Sequence, residues 1–247
     1  MKEERFQAIL DIIEKKEFVS VNALSEMLYV SLPTVRRDLA KMQEMGLIKR
    51  GHGGAISNNA NRVGAPSIFR AGVKTDEKRR MCEAAAKLLH DNCVIFLDES
   101  TTTVSITDFL SDYKNITIIT NSMEVLNRAY DKKIEACCLG GRMSFETKSF
   151  LGSSTEEMAS RFGIDYMFFS SSGINRNGWI VDYYQAANSL RRSVAQLAEC
   201  KVFLCDSTKF LKNEVYTLMP LSSADYIITD EALPAGLDSG SAKRIVV

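Results

Sequence analysis

Val19-Ser20-Val21-Asn22-Ala23-Leu24-Ser25-Glu26-Met27-Leu28-Tyr29-Val30-Ser31-Leu32-Pro33-Thr34-Val35-Arg36-Arg37-Asp38-Leu39 is the stretch whose reading decides the N-terminal fold. Ala23, Leu24, Met27 and Leu28 recur at helical spacing, which predicts a short helix with one buried face. Tyr29-Val30 ends it. Ser31 then stands as an N-cap whose side-chain oxygen can accept from the N–H of Thr34. Pro33 falls in the first turn of the next helix, where a missing N–H costs little. Val35, Leu39 and Met42 give that helix a packing stripe and leave Thr34, Arg36, Arg37 and Lys41 on its other faces. Asp38 can pair with a neighbouring arginine and hold its direction, and Gly46 is suited to cap the C-terminus.

Working outward, Leu47-Ile48-Lys49-Arg50 reads as a short strand and Gly51-His52-Gly53-Gly54 as the turn of a hairpin. Two helices meeting at a tight turn and followed by a basic ribbon form a winged helix-turn-helix, with the second helix placed to read DNA. Ser31, Thr34, Arg36, Arg37 and Lys41 are the candidates for phosphates and base edges. Lys49, Arg50 and His52 are those for backbone phosphates or a minor groove. The competing reading is a small helical subdomain with solvated arginines. T-V-R-R-D-L followed by K-R-G-H-G-G-A favours double-stranded DNA.

Composition is compatible with that partner. The chain has 247 residues with 31 Lys or Arg against 31 Asp or Glu, so it carries no net charge. A DNA binder needs only its reading face to be basic. Between Thr34 and Arg50, Arg36, Arg37, Lys41, Lys49 and Arg50 outnumber Asp38 and Glu44. No apolar run approaches the length of a membrane span, and the N-terminus opens an amphipathic helix rather than a signal peptide. Six cysteines without a C-x-x-C pair read as reduced core residues of a cytoplasmic protein. With only His52 and His90 in the chain, a histidine-rich metal site is not expected.

Three segments are expected: a DNA-binding domain over 1–55, a linker over 56–67 marked by small and polar residues with Gly64 and Pro66, and a larger domain over 68–247. Phe6, Ile9, Leu10 and Ile13 give the first helix a buried stripe. In the larger domain, short apolar runs alternate with helical patterns. Strands are expected at 93–98, 116–120, 134–139, 165–170, 201–206, 225–229 and 244–247. Helices are expected at 76–90, from 103 to 110, and at 123–130, 154–162 and 186–199. Apolar strands alternating with helices indicate a mainly parallel α/β sheet covered on both faces.

Ligands of open α/β sheets sit beyond the carboxyl ends of the strands. Polar residues gather at those ends: Asp98, Glu99, Ser100, Thr101, Thr102 and Thr103, then Thr120 and Asn121, then Gly140-Gly141-Arg142, then Ser171, Ser172 and Gly173, and finally Asp206, Ser207, Thr208 and Lys209. Taken singly, each reads as a helix cap or turn residue. Their convergence from five strand ends favours a pocket. Hydroxyls and N–H groups opening a helix suit an anion, and Lys209 can add a positive charge.

V-S-L-P-T-V-R-R-D-L and the H-G-G-A ending resemble the winged helix-turn-helix of the DeoR family of bacterial transcription regulators. F-L-D-E-S-T-T-T, I-I-T-N-S, L-G-G-R, the F-L-G-S segment, S-S-G-I and L-C-D-S-T-K-F follow in the family's order, so the resemblance covers essentially the whole chain. It implies a larger domain resembling the ribose-phosphate isomerase and coenzyme A transferase type of α/β fold, which binds a small effector, usually a phosphorylated sugar. By motif, Asp98, Thr101, Thr102, Asn121, Gly140, Gly141, Asp206 and Lys209 match the family's effector positions. Three places depart from it. Glu99 and Ser100 stand where the family has a small residue and glycine, Ser172 stands where many members have Asp, and no Glu precedes the basic pair Arg191-Arg192. A carboxylate near a phosphate repels it unless paired or turned away.

The expected function is a transcription regulator, a repressor of carbohydrate-metabolism genes modulated by a sugar phosphate and working as a homodimer or homotetramer. Paired reading heads match paired half-sites on DNA. No catalytic residue, metal or cofactor is expected. Two other readings remain open. One is a regulator without a small-molecule effector. The other is an isomerase-like enzyme with Asp98, Glu99 or Asp206 as base.

Overall fold

A computed structural model describes residues 2–16, 18–45, 47–51, 53–57 and 70–247, without the side chains of 2, 3, 14, 15, 49, 51, 56 and 57. The chain divides into two compact units, Met1–Val73 and Lys74–Val247.

The first unit runs α1 (Lys2–Lys16), β1 (Phe18–Ser20), α2 (Val21–Leu28), α3 (Leu32–Glu44), β2 (Ile48–Gly51) and β3 (Gly54–Ser57). The apolar stripes explain its packing. Phe6, Ile9 and Ile13 of α1, Leu24 of α2, and Val35, Leu39 and Met42 of α3 share one core with Val19, Ile48 and Ala55. Leu10, Ala23 and Leu28 pack on it half-buried, whereas Met27 is exposed. Serines start both later helices: Ser20 Oγ accepts from the N–H of Ala23 at 3.1 Å, and Ser31 Oγ from that of Thr34 at 3.4 Å. The first of these caps lay unnoticed in the sequence. Helix α2 ends because Tyr29 turns left-handed, with φ 53°, and returns its N–H to the carbonyl of Ser25.

Strands order as β1-β3-β2, all antiparallel. A Cβ at Gly54 would run into the carbonyl of Val19, so glycine is what lets the wing close on β1. Strand β3 continues to Ser57, two residues into the stretch expected as linker. The rest of that stretch, 58–67, lies outside the described residues, as does Gly46.

The second unit runs α4 (Thr75–Ala86), β4 (Val94–Leu97), a 3-10 helix (Thr103–Asp112), β5 (Thr117–Thr120), α5 (Met123–Lys132), β6 (Glu135–Cys138), β7 (Arg142–Ser144), β8 (Ser149–Leu151), α6 (Ser153–Ala159), β9 (Ile164–Phe169), β10 (Gly173–Ile174), β11 (Trp179–Asp182), α7 (Gln185–Leu197), β12 (Ala198–Leu204), β13 (Tyr216–Pro220), β14 (Tyr226–Thr229) and β15 (Lys243–Val246). Seven strands form one sheet in the order β15-β14-β12-β9-β4-β5-β6. Every pairing in it is parallel. Alternation along the strands splits the core in two. Phe96, Met167, Phe169 and Phe203 pack with α6 and α7, and Ile95, Leu97, Phe168, Val202 and Leu204 pack with α4, α5 and the 3-10 helix.

Three features differ from the sequence expectation. The segment from Thr103 winds as a 3-10 rather than an α-helix. A hairpin, β7–β8, and a small antiparallel sheet, β10-β11-β13, were not anticipated. Both consist of strands of two to five residues. Such strands are too short to show a period. All six cysteines are free. Among the described residues, no helix is long and apolar enough to cross a membrane.

Candidate functional site

On α3, the buried stripe turns Arg36, Arg37 and Lys41 outward and exposed. Thr34 is half-buried and shares a 2.9 Å hydrogen bond between hydroxyls with Ser31. Arg50 is exposed on β2. His52 and the side chain of Lys49 lie outside the described residues. Asp38 does not aim an arginine of α3. It is 1 % exposed and accepts from Arg5, Nε to Oδ2 at 2.6 Å and Nη2 to Oδ1 at 3.2 Å. This bidentate pair ties α3 to α1. The sequence concealed it because 33 residues separate the partners.

In the second unit, β12, β9, β4, β5 and β6 are neighbours in the sheet, so the five polar strand ends meet along one edge. Around Arg191 of α7 the side chains converge. Its Nε donates to Asp98 Oδ2 at 2.9 Å, its Nη2 to Glu99 Oε1 at 2.8 Å and its Nη1 to Asp182 Oδ2 at 3.0 Å. Asn121 Nδ2 donates to the other Glu99 oxygen at 3.1 Å. Ser172 Oγ donates to Asp182 Oδ1 at 3.0 Å. The unexpected carboxylate of Glu99 is therefore paired. The acid absent at position 172 is matched by Asp182, reaching the same place from β11.

Asp98 also organises the loop after β4. Its oxygens accept from the N–H of Ser100 and of Ser170, each at 3.1 Å, and from Thr103 Oγ1 at 2.8 Å. Ser100 Oγ accepts from the N–H of Thr103, the first residue of the 3-10 helix, at 3.2 Å. Neither Glu99 nor Ser100 has a positive φ, so the loop closes without the glycine that the family resemblance led us to expect.

A second cluster surrounds Thr101 and Thr102. Lys209 Nζ donates to Ser170 Oγ at 2.8 Å and to Thr102 Oγ1 at 3.3 Å, and lies 3.6 Å from Asp206. Lys78 Nζ, from α4, lies 3.4 Å from Thr101 Oγ1. Asp206 caps the turn leading to Lys209, accepting from the N–H of Thr208 at 3.2 Å and from its hydroxyl. Gly140 and Gly141 belong to neither cluster. They are pinned by Thr155, whose hydroxyl donates to the Gly140 carbonyl at 2.8 Å. A Cβ at Gly141 would collide with that hydroxyl.

The two clusters differ in charge. Three buried carboxylates face the single Arg191, whereas Lys78 and Lys209 outnumber Asp206. Burial raises the Glu99 carboxyl above its ordinary value; Arg191 opposes the rise and Asp98 adds to it. Burial alone would lower Arg191, but Glu99, Asp98 and Asp182 hold it higher than usual. Burial would raise Asp206, yet Lys209, the Thr208 hydrogen bond and Lys78 hold it below its ordinary value. Among the described residues of this site, Asn121 Oδ1 and both amide atoms of Asn188, one turn before Arg191 on α7, are fully buried without a hydrogen-bond partner. Each unmade bond of this kind costs about 1–3 kcal/mol.

The sequence reading missed Lys78, Asp182, Asn188 and Arg191 as site residues. Two signals were available. Lys78 shares a helical stripe with Met81, Cys82 and Ala85, and Asn188 and Arg191 share one with Ala187, Leu190 and Val194. A polar group on an otherwise buried stripe needs a partner.

Comparison with known proteins follows the same division. The DeoR-like helix-turn-helix domain matches residues 5–61 and the DeoR C terminal sensor domain residues 73–231. The L-fucose operon activator of Haemophilus influenzae is 33 % identical over 234 residues, which are 94 % of this chain and 94 % of that protein. The HTH-type transcriptional regulator IolR of Bacillus subtilis is 30 % identical over 94 % of this chain and 93 % of its own. The glycerol-3-phosphate regulon repressor of Escherichia coli is 26 % identical over 95 % and 93 %. Among solved structures, ribose 5-phosphate isomerase A from Methanocaldococcus jannaschii is 17 % identical over 56 % of this chain and 55 % of its own, with a TM-score of 0.42.

Proposed function

The chain belongs to the DeoR family of transcription regulators, and from that premise we propose that it represses carbohydrate-metabolism genes in the cytoplasm and is released from operator DNA by a phosphorylated sugar. It is a regulator and not an enzyme, as its relatives are. In the proposal, Ser31, Thr34, Arg36, Arg37, Lys41, Lys49, Arg50 and His52 meet the DNA, and the protein works as a homodimer or homotetramer so that paired heads match paired half-sites.

One observation carries the effector assignment. The ammonium groups of Lys78 and Lys209 converge on the Thr101-Thr102 hydroxyls, while Arg191 is saturated by three carboxylates. The phosphate therefore belongs at the lysine cluster. Glu99 does not repel it, because Arg191 and Asn121 hold both carboxylate oxygens. The unpartnered Asn121 Oδ1 and the Asn188 amide suit the hydroxyls of a sugar. Two relatives carry names of neighbouring chemistry, one a phosphorylated polyol and one a sugar: a glycerol-3-phosphate regulon repressor and an L-fucose operon activator.

The test is thermal unfolding of the protein with a panel of sugar phosphates and the matching free sugars. A ligand at a hundred times its dissociation constant should add about 2.7 kcal/mol of stability. At least one sugar phosphate should stabilise the protein and lower its operator affinity, and Lys209→Met should lose that response while still binding the operator. Stabilisation by free sugars alone, or a full response in Lys209→Met, would refute the placement of the phosphate.

A further inference from the structure

The outer surface of the reading helix is not uniformly polar. Leu32, its first residue, is 36 % exposed, and Pro33 beside it is exposed too. Tyr29, in the turn just before, is 95 % exposed with φ 53°. A left-handed tyrosine is a conformation that L side chains resist. Its N–H closes α2 on the Ser25 carbonyl, which accounts for the backbone turn, but the exposed ring gains no packing there. Three apolar residues thus stand on the surface within five positions, at the tip of a helix whose next turn presents Arg36 and Arg37.

Spacing relates the tip to those arginines. Leu32 and Arg36 are four apart and share a helix face, as do Pro33 and Arg37. In helix-turn-helix proteins the first residues of the second helix approach base edges in the major groove. There an arginine pairs with guanine O6 and N7, whereas the one apolar feature on offer is the C5-methyl group of thymine. Leu32 has no hydrogen-bonding side-chain atom and can read nothing else. We propose that Leu32 is a specificity-determining residue that reads a thymine methyl group, next to the bases met by Arg36 and Arg37. The inference rests on the DNA-reading assignment of α3, and Tyr29 and Pro33 extend the apolar surface around it.

The test begins with selection of duplexes from a random pool by the full-length protein. Each thymine of the selected half-site is then replaced by uracil, which removes only the methyl group. Burying one such carbon is worth about a fourfold change in affinity. One thymine per half-site should therefore show about a fourfold loss, and Leu32→Ala should bind the thymine and uracil duplexes equally. The uracil series on the unaltered protein stands whether or not the variant folds. If the protein binds its selected duplex and no uracil weakens it, or if Leu32→Ala still discriminates, this inference is overturned alone. If no duplex is enriched at all, the DNA-reading assignment falls with it.

Discussion

Replacing Arg191 by methionine tests the central electrostatic claim, that one guanidinium holds three buried carboxylates in place. Arg191 is 3 % exposed, and Asp98, Glu99 and Asp182 are no more than 6 % exposed. Methionine keeps most of the side-chain length and removes five donors. Removing one partner of a buried ion pair costs about 3–5 kcal/mol, because the charge left behind is uncompensated. Here Asp98 keeps its bonds to Ser100, Ser170 and Thr103, and Asp182 keeps those to Ser172 and Tyr183. Glu99 keeps only Asn121 among the side chains and is the most exposed to the loss. Urea unfolding reports the effect directly, because the chain's single tryptophan, Trp179, lies on β11 three residues from Asp182. With a urea dependence of about 2 kcal/mol per molar, the Trp179 midpoint should fall by about 1.5–2.5 M at neutral pH, with the slope unchanged. The gap should narrow as the pH falls toward 5, since protonating the stranded Glu99 carboxyl, already raised by burial, removes its share of the penalty. A midpoint within about 0.5 M of wild type at neutral pH would show that these carboxylates do not need Arg191. A loss that did not shrink in acid would show that its role is packing rather than charge.

Two further outcomes follow from the geometry. Arg36→Ala or Arg37→Ala should cost about 1–3 kcal/mol of operator binding and relax specificity at one base pair if the residue reads a base, whereas a phosphate contact would weaken all sequences evenly; fluorescence anisotropy on base-substituted duplexes separates these, and unchanged affinity in both variants would remove α3 from the interface. For Glu99, burial raises the folded carboxyl above its ordinary 4.5, so the folded state holds the proton more tightly than the unfolded one and stability falls as pH rises through the interval between the two values; Glu99→Gln, which cannot titrate, should gain on wild type as pH rises from 4.5, and a flat difference would contradict the raised carboxyl.

Much of this was legible in the sequence because it depended on local rules. The helix-turn-helix followed from periodicity, a serine cap and a proline in the first turn. The parallel sheet followed from apolar runs alternating with helices, and the polar strand ends followed from where such runs stop. What escaped depended on long-range partners. Asp38 was expected to pair with a neighbouring arginine, and the one it meets is Arg5 of α1, distant in sequence. Glu99 and Ser172 looked like defects because each was compared with its own position in the family. Their compensations come from Arg191 and Asp182, which approach from α7 and β11. The glycine missing from the loop after β4 mattered less than expected, because Ser100 binds the N–H of Thr103 without a positive φ.

The placement of the lysine cluster has a mechanical consequence. A ligand alters an equilibrium only through its differential affinity for the two states, so the residues it draws together must be joined to something that can move. Lys209 ends the turn that Asp206 caps, and Ser207 in that turn donates through both its N–H and its hydroxyl to Asp230, at 2.6 and 3.0 Å. The same carboxylate lies 3.2 Å from Lys74 Nζ. Lys74 is the residue at which the second unit begins, it has a left-handed backbone, and its carbonyl accepts from the N–H of Lys78 at 2.9 Å. Both lysines of the cluster are thus joined through the backbone to the first turn of α4, Lys78 as part of it and Lys209 through the turn that Ser207 ties to Asp230 and Lys74. In the proposed reading, an anion drawing Lys78 and Lys209 toward Thr101 and Thr102 would act on the start of α4 from two sides. Arg191, held by three carboxylates, stands at the other end of the same loop.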